Sequence, residues 1–495
     1  MKILVVSYYD DNYGDMLIRI CFTSILKIVL KNLEIPEESC DIRCMPLKVI
    51  DEEAVCTSDI IFFAGGALFG FNYENFFTSM ERIIQLADEH AIPVVFSSMG
   101  ANHGQASSEN DSQLYRLLQK NCIRAISVRD NPAFFRKYCP NEQIPISQVC
   151  DPAVWTGYVY KKELPACPPH EKPVIGINVA RGGLFRDNGH DWGLSDEVRY
   201  LDEIRQKLEE AGMDYRFYTN GSLLDNNTLR YFAEVKEVPL KNLLFNQTTR
   251  DLVHAIAGFD AVLAIRMHSS IISYSMGVPA VNLIWHEKIP LFYTAIGRPD
   301  RAIPLENWSA DDLISRLGEF TVSLSEKPAA VPDPAYAMSL YDFLFDRLRP
   351  FAAANDLSAP PKPFSFEEIT ALLEKQAVPL EEDLTDLRRK VLGGERKYFG
   401  KFKESKKNEA QIKELQKELK SARKELDGTQ KKLSQKEESL QKSGEKQKEL
   451  EHSLKETKQS LKETKDRLKK AQADLDHINS HLSMRIYRKL KKLLS

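Results

Sequence analysis

The chain has 495 residues, of which 43% are hydrophobic and 28% charged, with a formal net charge of −3. That length is too great for one compact core and suits two or three domains, and no apolar run approaches the roughly 18 residues of a spanning helix, which excludes an integral membrane protein. The near-neutral total hides an asymmetry: residues 401–495 hold 27 Lys and Arg against 16 Asp and Glu, leaving 41 against 55 in residues 1–400. An acidic body is therefore joined to a basic tail.

Residues 1–165 alternate apolar runs with helical stretches. KILVVSY (2–8) reads as a strand, since Ile3 to Val6 is too short an apolar run for a signal peptide. LIRICFTSILKIVLKNL (17–33) has helical spacing. DIIFFAGG (59–66) is a strand running into glycines, FFTSMERIIQLADEH (76–90) a helix, and IPVVFSSMG (92–100) another strand. AISVRD (125–130) and QVCDPA (148–153) continue the series. Such repetition predicts a parallel sheet flanked by helices. The polar stretch KKELPACPPHEKP (161–173) reads as a linker. The alternation restarts over 172–325, with strands at VIGINVARGG (174–183), DYRFYTN (214–220), DAVLAIR (260–266) and VPAVNLIW (278–285), and helices around 195–212 and before Gly258. The expectation is an α/β protein of two Rossmann-like domains facing across a cleft, with ligands at the carboxyl ends of the strands.

Residues 326–400 form a Pro-rich connector with a helix near 338–350. Over 401–482 the character changes. Leu419, Leu426, Leu433, Leu440, Leu454, Leu461, Leu468, Leu475 and Leu482 share one heptad position, interrupted by Gln447. This predicts a long C-terminal helix that self-associates as a coiled coil; the alternative is a single helix held by Glu–Lys pairs. In SMRIYRKLKKLLS (483–495), Ile486, Tyr487, Leu490, Leu493 and Leu494 share one face and five basic residues the others. Such a helix suits peripheral contact with an anionic membrane, or a cap on the coiled coil. Eight cysteines without a CxxC pair predict reduced thiols in a cytoplasmic protein.

Candidate functional residues gather where strands end. In DDNYGDMLI, Gly14 permits a tight turn, Asp15 is placed to cap a helix starting at Met16, and Asn12 stands nearby. Small residues also follow strands at Ala64-Gly65-Gly66 and at Gly100–Gly104, the latter with His103. Arg129 and Asp130 end one strand, Asp151 begins a turn, and Arg181 follows another strand ahead of Gly182-Gly183. An Arg leaving an apolar strand needs an anionic partner. For Arg129 that partner is a ligand or a neighbouring Asp. Arg266 and His268 stand two apart on what reads as an extended segment pointing one way, pairing a permanent cation with a group that titrates near neutrality.

NYGD, AGGALFG, SSMGANHG, SVRD, CDPA and AIRMHSSIISYSMGVPAVNLIWHEK, in this order over roughly residues 1–300, resemble the polysaccharide pyruvyl transferase family. Ala67 stands at the family's usual third Gly, and the coiled coil lies outside its core. The resemblance implies a two-domain fold like that of glycosyltransferases of the B type. It implies transfer of the enolpyruvyl unit of phosphoenolpyruvate onto two hydroxyls of a glycan, free or lipid-linked, leaving a pyruvate ketal and phosphate. It places Arg266 and His268 in donor holding and proton transfer, and maps the family's Arg after the first strand of the second domain onto Arg181. A donor with a carboxylate and a phosphate needs cations, for which Arg181, Arg266, Lys288 and Arg129 are available. His268 is the acid, and His103, Asp15 or Asp130 the base that accepts the sugar proton. The chemistry calls for no cofactor or metal, and no nucleic-acid partner is expected. Two other readings stand beside this one. A nucleotide-sugar glycosyltransferase of the same fold often carries a Glu pair where this chain has only Glu287, and a non-catalytic scaffold would be recruited to a membrane through the tail.

Overall fold

The computed structural model describes residues 1–8, 12–69, 74–100, 108–139, 141–165, 170–322, 332–352 and 361–378. In the tail it describes chiefly 452–474, with 417, 418, 420, 421, 424, 425 and 428. Two compact units are present, Met1–Glu382 and Asp383–Leu494.

The first unit holds two six-stranded sheets. One contains β1 (Lys2–Ser7), β2 (Asp41–Pro46), β3 (Ile60–Ala64), β4 (Val94–Met99), β5 (Ile123–Val128) and β6 (Ile146–Gln148), in the order β2-β1-β3-β4-β5-β6. The other contains β7 (Val174–Asn178), β8 (Asp214–Tyr218), β9 (Leu243–Leu244), β10 (Ala261–Ala264), β11 (Ala280–Ile284) and β12 (Ala302–Pro304), in the order β12-β11-β10-β7-β8-β9. Every pairing is parallel. Helices cover both faces, so the central strands are buried throughout and read as unbroken apolar runs. This is a pair of Rossmann-like lobes in a glycosyltransferase-B-like arrangement.

Helix α1 (Tyr13–Asn32) is buried on nearly every face. It touches the 152–155 turn, the second-lobe helices Thr249–Ala257 and Met267–Ser275, and the late helices Pro334–Ala352 and Phe366–Leu373. Those last two return to the first lobe: Trp155 Nε1 donates to Ala337 O at 3.2 Å, Cys150 N to Ser339 Oγ at 2.9 Å, and Phe364 N to Asn32 Oδ1 at 3.1 Å. The connector helix over 338–350 is thus a longer element that packs back on the body. The lobes also interlock at the head of α1, where Tyr13 N donates to Asn220 O at 2.8 Å and Tyr13 OH to Gln247 O at 2.6 Å.

The seven described cysteines are free thiols. No helix among the described residues is long and apolar enough to cross a membrane. In the second unit residues 452–474 are helical, with Leu454, Leu461 and Leu468 half-exposed along one stripe. The other heptad leucines and the basic helix at 483–495 lie outside the described residues.

Candidate active site

The site is built where the carboxyl edges of the two sheets meet. From the first lobe comes the head of α1, arranged differently from the sequence expectation. The helix begins at Tyr13, and its cap is Asn12: the amide oxygen accepts from Gly14 N at 3.1 Å while Nδ2 donates to Asp15 Oδ2 at 2.8 Å. Asp15, inside the first turn, is therefore held by the cap instead of forming it. Gly14 is no turn residue either. A Cβ there would stand 2.5 Å from His268 Cβ and 2.6 Å from its Nδ1, so only Gly lets the second lobe's imidazole lie against α1.

Arg129 and Asp130 follow β5. Arg129 is 5% exposed and forms an ion pair with Asp151, with Asp130 Oδ1 3.6 Å from its Nε. Its partner is thus the internal carboxylate. Gly100 makes room for it, since a Cβ there would stand 2.8 Å from Arg129 Nη2. Asp151 is 1% exposed and caps the 152–155 turn through Ala153 N at 2.9 Å. Burial alone would raise its carboxyl, but Arg129 and His268 hold it well below the usual carboxylate range.

His268 enters from the second lobe. Arg266 and His268 do not sit on an extended strand end: β10 stops at Ala264, Arg266 precedes the helix Met267–Ser275, and His268 lies in its first turn. The two side chains consequently diverge. His268 is 8% exposed and lies between two first-lobe carboxylates, Nδ1 3.7 Å from Asp15 Oδ1 and Nε2 3.9 Å from Asp151 Oδ2. These separations exceed hydrogen-bond length, and Nε2 is buried with no hydrogen-bond partner among the described residues. Arg266 instead turns to Asp225, a fully buried residue of helix Leu223–Val235, which grips the guanidinium at both Nε (3.0 Å) and Nη2. Its backbone N–H donates to Asn178 Oδ1 at 2.8 Å, and Asn178 in turn donates to Asn220 Oδ1 at 3.0 Å.

Lys288 opens the helix after β11, with its ammonium 4.5 Å above the Trp285 ring. Among the described residues no carboxylate lies within ion-pairing distance of it. Burial, Arg129 and Arg266 together push it down to about 8, only partly opposed by Asp15 and Asp130. Arg181 belongs to a different cluster. Its Nη1 lies 2.6 Å from Asp187 Oδ2, and the following N–H groups are consumed by Thr228 Oγ1 (2.7 Å from Gly182 N) and Glu197 Oε1 (3.0 Å from Gly183 N). The Gly-Gly loop is therefore no anion cradle. Burial pushes the Glu197 carboxyl up to about 8. His103 lies outside the described residues.

The structure thus gathers Asn12, Asp15, Arg129, Asp130, Arg266, His268 and Lys288, and leaves Arg181 with Asp187. Sequence reasoning passed over Asp225 entirely and treated Asp151 only as a turn residue. The Asp-Pro turn offered a weak signal for Asp151; nothing in LLDNNTLR marks Asp225, whose partner is 41 residues away.

The opposed edges of the two sheets thus bring together an imidazole, carboxylates and an ammonium that has no ion-pair partner among the described residues. The polysaccharide pyruvyl transferase family model matches residues 8–287, more than half of the chain, and the protein belongs to that family. No curated protein matches it. Among solved structures it is similar to the UDP-GlcNAc 2-epimerase of Neisseria meningitidis bound to UDP-GlcNAc, at 12% identity over 70% of this chain and 99% of that one, with a TM-score of 0.44. It is also similar to the UDP-GlcNAc 2-epimerase of Methanocaldococcus jannaschii (10% identity, 71% and 100% covered, TM-score 0.38) and to the β-glucosyltransferase of phage T4 (10%, 77% and 100%, TM-score 0.34).

Proposed function

We propose that the protein transfers the enolpyruvyl group of phosphoenolpyruvate to a glycan sugar and closes it into a pyruvate ketal. The observation that carries this reading is the partly buried Lys288, which among the described residues has no carboxylate within ion-pairing distance and feels Arg129 and Arg266, in a site that also holds an imidazole set between two carboxylates. A partly buried ammonium depressed by its neighbours is stabilised by an arriving anion, and a donor with a carboxylate and a phosphate supplies one. Arg129 and Arg266 are already paired, so they contribute field and direction while Lys288 takes the donor's charge.

His268 protonates the methylene carbon of the donor, making the adjacent carbon electrophilic. A first sugar hydroxyl attacks that carbon and gives its proton to a base. Asp15, oriented by Asn12 and adjacent to the imidazole, is placed for this better than Asp130, which is engaged with Arg129. The bond from carbon to phosphate oxygen breaks, inorganic phosphate leaves, and the second hydroxyl closes the ketal as its proton is lost. The chain's own residues supply acid, base and cations, so the reading needs no cofactor. Its acceptor is a glycan or a lipid-linked oligosaccharide. The tail's leucine repeat serves self-association, and its basic end meets an anionic membrane at the cytoplasmic face.

The test incubates purified protein with phosphoenolpyruvate or nucleotide sugars and a glycan acceptor. Acceptor-dependent release of inorganic phosphate supports pyruvyl transfer. Release of a nucleoside diphosphate would assign a glycosyltransferase instead.

A further inference from the structure

The family match ends at residue 287, yet helix Pro334–Ala352, well beyond it, is bonded to the segments that carry both Asp151 and His268. On the first-lobe side the contact is made at Cys150, the buried residue before Asp151. Its N–H donates to Ser339 Oγ at 2.9 Å and its thiol to Ala337 O at 3.5 Å, and Trp155 Nε1 reaches the same carbonyl at 3.2 Å. Ser339 Oγ donates in turn to Tyr336 O at 2.6 Å, which leaves a lone pair for Cys150. On the second-lobe side Asp333 N donates to Tyr274 OH at 2.8 Å. Tyr274 lies in the last turn of helix Met267–Ser275, whose first turn holds His268. The third contact is direct: Gly157 N donates to Ser275 Oγ at 3.0 Å, and a Cβ at Gly157 would strike Ser275 O. Three segments, each bonded to the other two, make a closed triangle.

Such a triangle cannot shear along one side without straining the other two, and the quantity it fixes is a charge spacing. Asp151 Oδ1 caps the turn through Ala153 N, while Oδ2 pairs with Arg129 and stands 3.9 Å from His268 Nε2. That separation is about 1 Å beyond hydrogen-bond length, so a small shift either couples the two groups or parts them. Asp15 of α1 faces the other ring nitrogen, and Asp130 lies behind Asp151 on Arg129. Six residues separate His268 from Tyr274, about 9 Å of helix, so a displacement at Tyr274 is carried to the imidazole. Removing the Ser339 hydroxyl leaves the buried Cys150 N–H without its acceptor, one residue from Asp151, and the turn must move to satisfy it.

We propose that residues 333–339 are a positioning bracket that sets the spacing of Asp151 and His268, with Ser339 as its central residue. Its part in the reaction rests on the pyruvyl-transfer reading above. Full-length protein carrying 13C at histidine Cε1 reports the imidazoles directly, and His268→Gln assigns the resonance of His268. Ser339→Ala should move that resonance and Ser339→Thr, which keeps the hydroxyl, should restore it, while His170, held by Asp260, stays fixed. Tyr274→Phe takes the acceptor from Asp333 N and should move the same resonance; it decides the matter if Ser339→Ala does not fold. In turnover, Ser339→Ala should lower kcat about 10-fold and leave KM for phosphoenolpyruvate within about 2-fold, because the cations are untouched. An unmoved His268 resonance in the folded variants overturns the bracket, and a moved resonance with the parent's kcat overturns its part in the reaction. The resonances are read without turnover, so a parent that releases no phosphate removes the pyruvyl-transfer reading while they still decide whether the bracket holds.

Discussion

At the scale of single residues, the site is governed by which charges are paired. Burial and the neighbouring Arg129 and Arg266 push the Lys288 ammonium down from its ordinary value to about 8. An anionic donor binds its protonated form, so donor affinity should fall as pH rises through about 8, roughly tenfold per unit beyond it, with a proton taken up on binding. Calorimetric titration of phosphoenolpyruvate across this range checks it: Lys288→Met should bind more weakly and lose the pH dependence. The same group bears on stability. Between the folded and unfolded values the unfolded chain holds a proton that the folded one lacks, so this residue's contribution to stability rises with pH across that window. Asp225 acts on Arg266. Asp225→Asn leaves a largely buried guanidinium without its carboxylate and should cost about 3 kcal/mol in urea unfolding, with a fall in turnover. Unfolding midpoints and rates indistinguishable from the parent would show that the ion pair holds nothing.

At the scale of elements, the head of α1 shows a local preference overridden by tertiary need. Gly14→Ala in a helix ordinarily stabilises by about 0.5–1 kcal/mol. Here the added Cβ meets the Cβ and ring of His268, and a shift of about 1 Å in the imidazole is enough to lower turnover about 100-fold. Steady-state rates for Gly14→Ala, with donor affinity measured alongside, decide between the two effects; an active variant would place the imidazole elsewhere during the reaction. The same elements show what could be read in advance. β1, β3 and β4 are buried on both faces, and their apolar runs stood out. β2, β9 and β12 did not: β2 alternates half-exposed side chains and ends in Pro46, while β9 and β12 are two and three residues long. The expected strand at 148–153 is instead Ile146–Gln148, with Asp151 capping the turn that follows. Arg266 and His268 were legible because they follow an apolar strand directly. Their divergence was not, because it depends on a helix starting at Met267 and on Asp225, Asp15 and Asp151, all distant in sequence.

At the scale of the molecule, α1 joins the parts. It carries the cap and Asp15, meets the second lobe through Tyr13, and is covered by the returning helices Pro334–Ala352 and Phe366–Leu373. The first unit closes at Glu382, so a protein ending there should unfold in one cooperative transition and retain turnover. Sedimentation of this truncated form and of the full chain tests the leucine repeat, and equal subunit numbers would dismiss it as a self-association element. The proposed transfer depends on His268 delivering a proton to a donor bound by cations. The most direct measurement compares phosphate release from phosphoenolpyruvate, with a glycan acceptor present, for the parent and His268→Ala, alongside donor binding by each. Acceptor-dependent release by the parent, abolished in His268→Ala while donor affinity is kept, is the predicted result; a variant that turns over within a few-fold of the parent contradicts it.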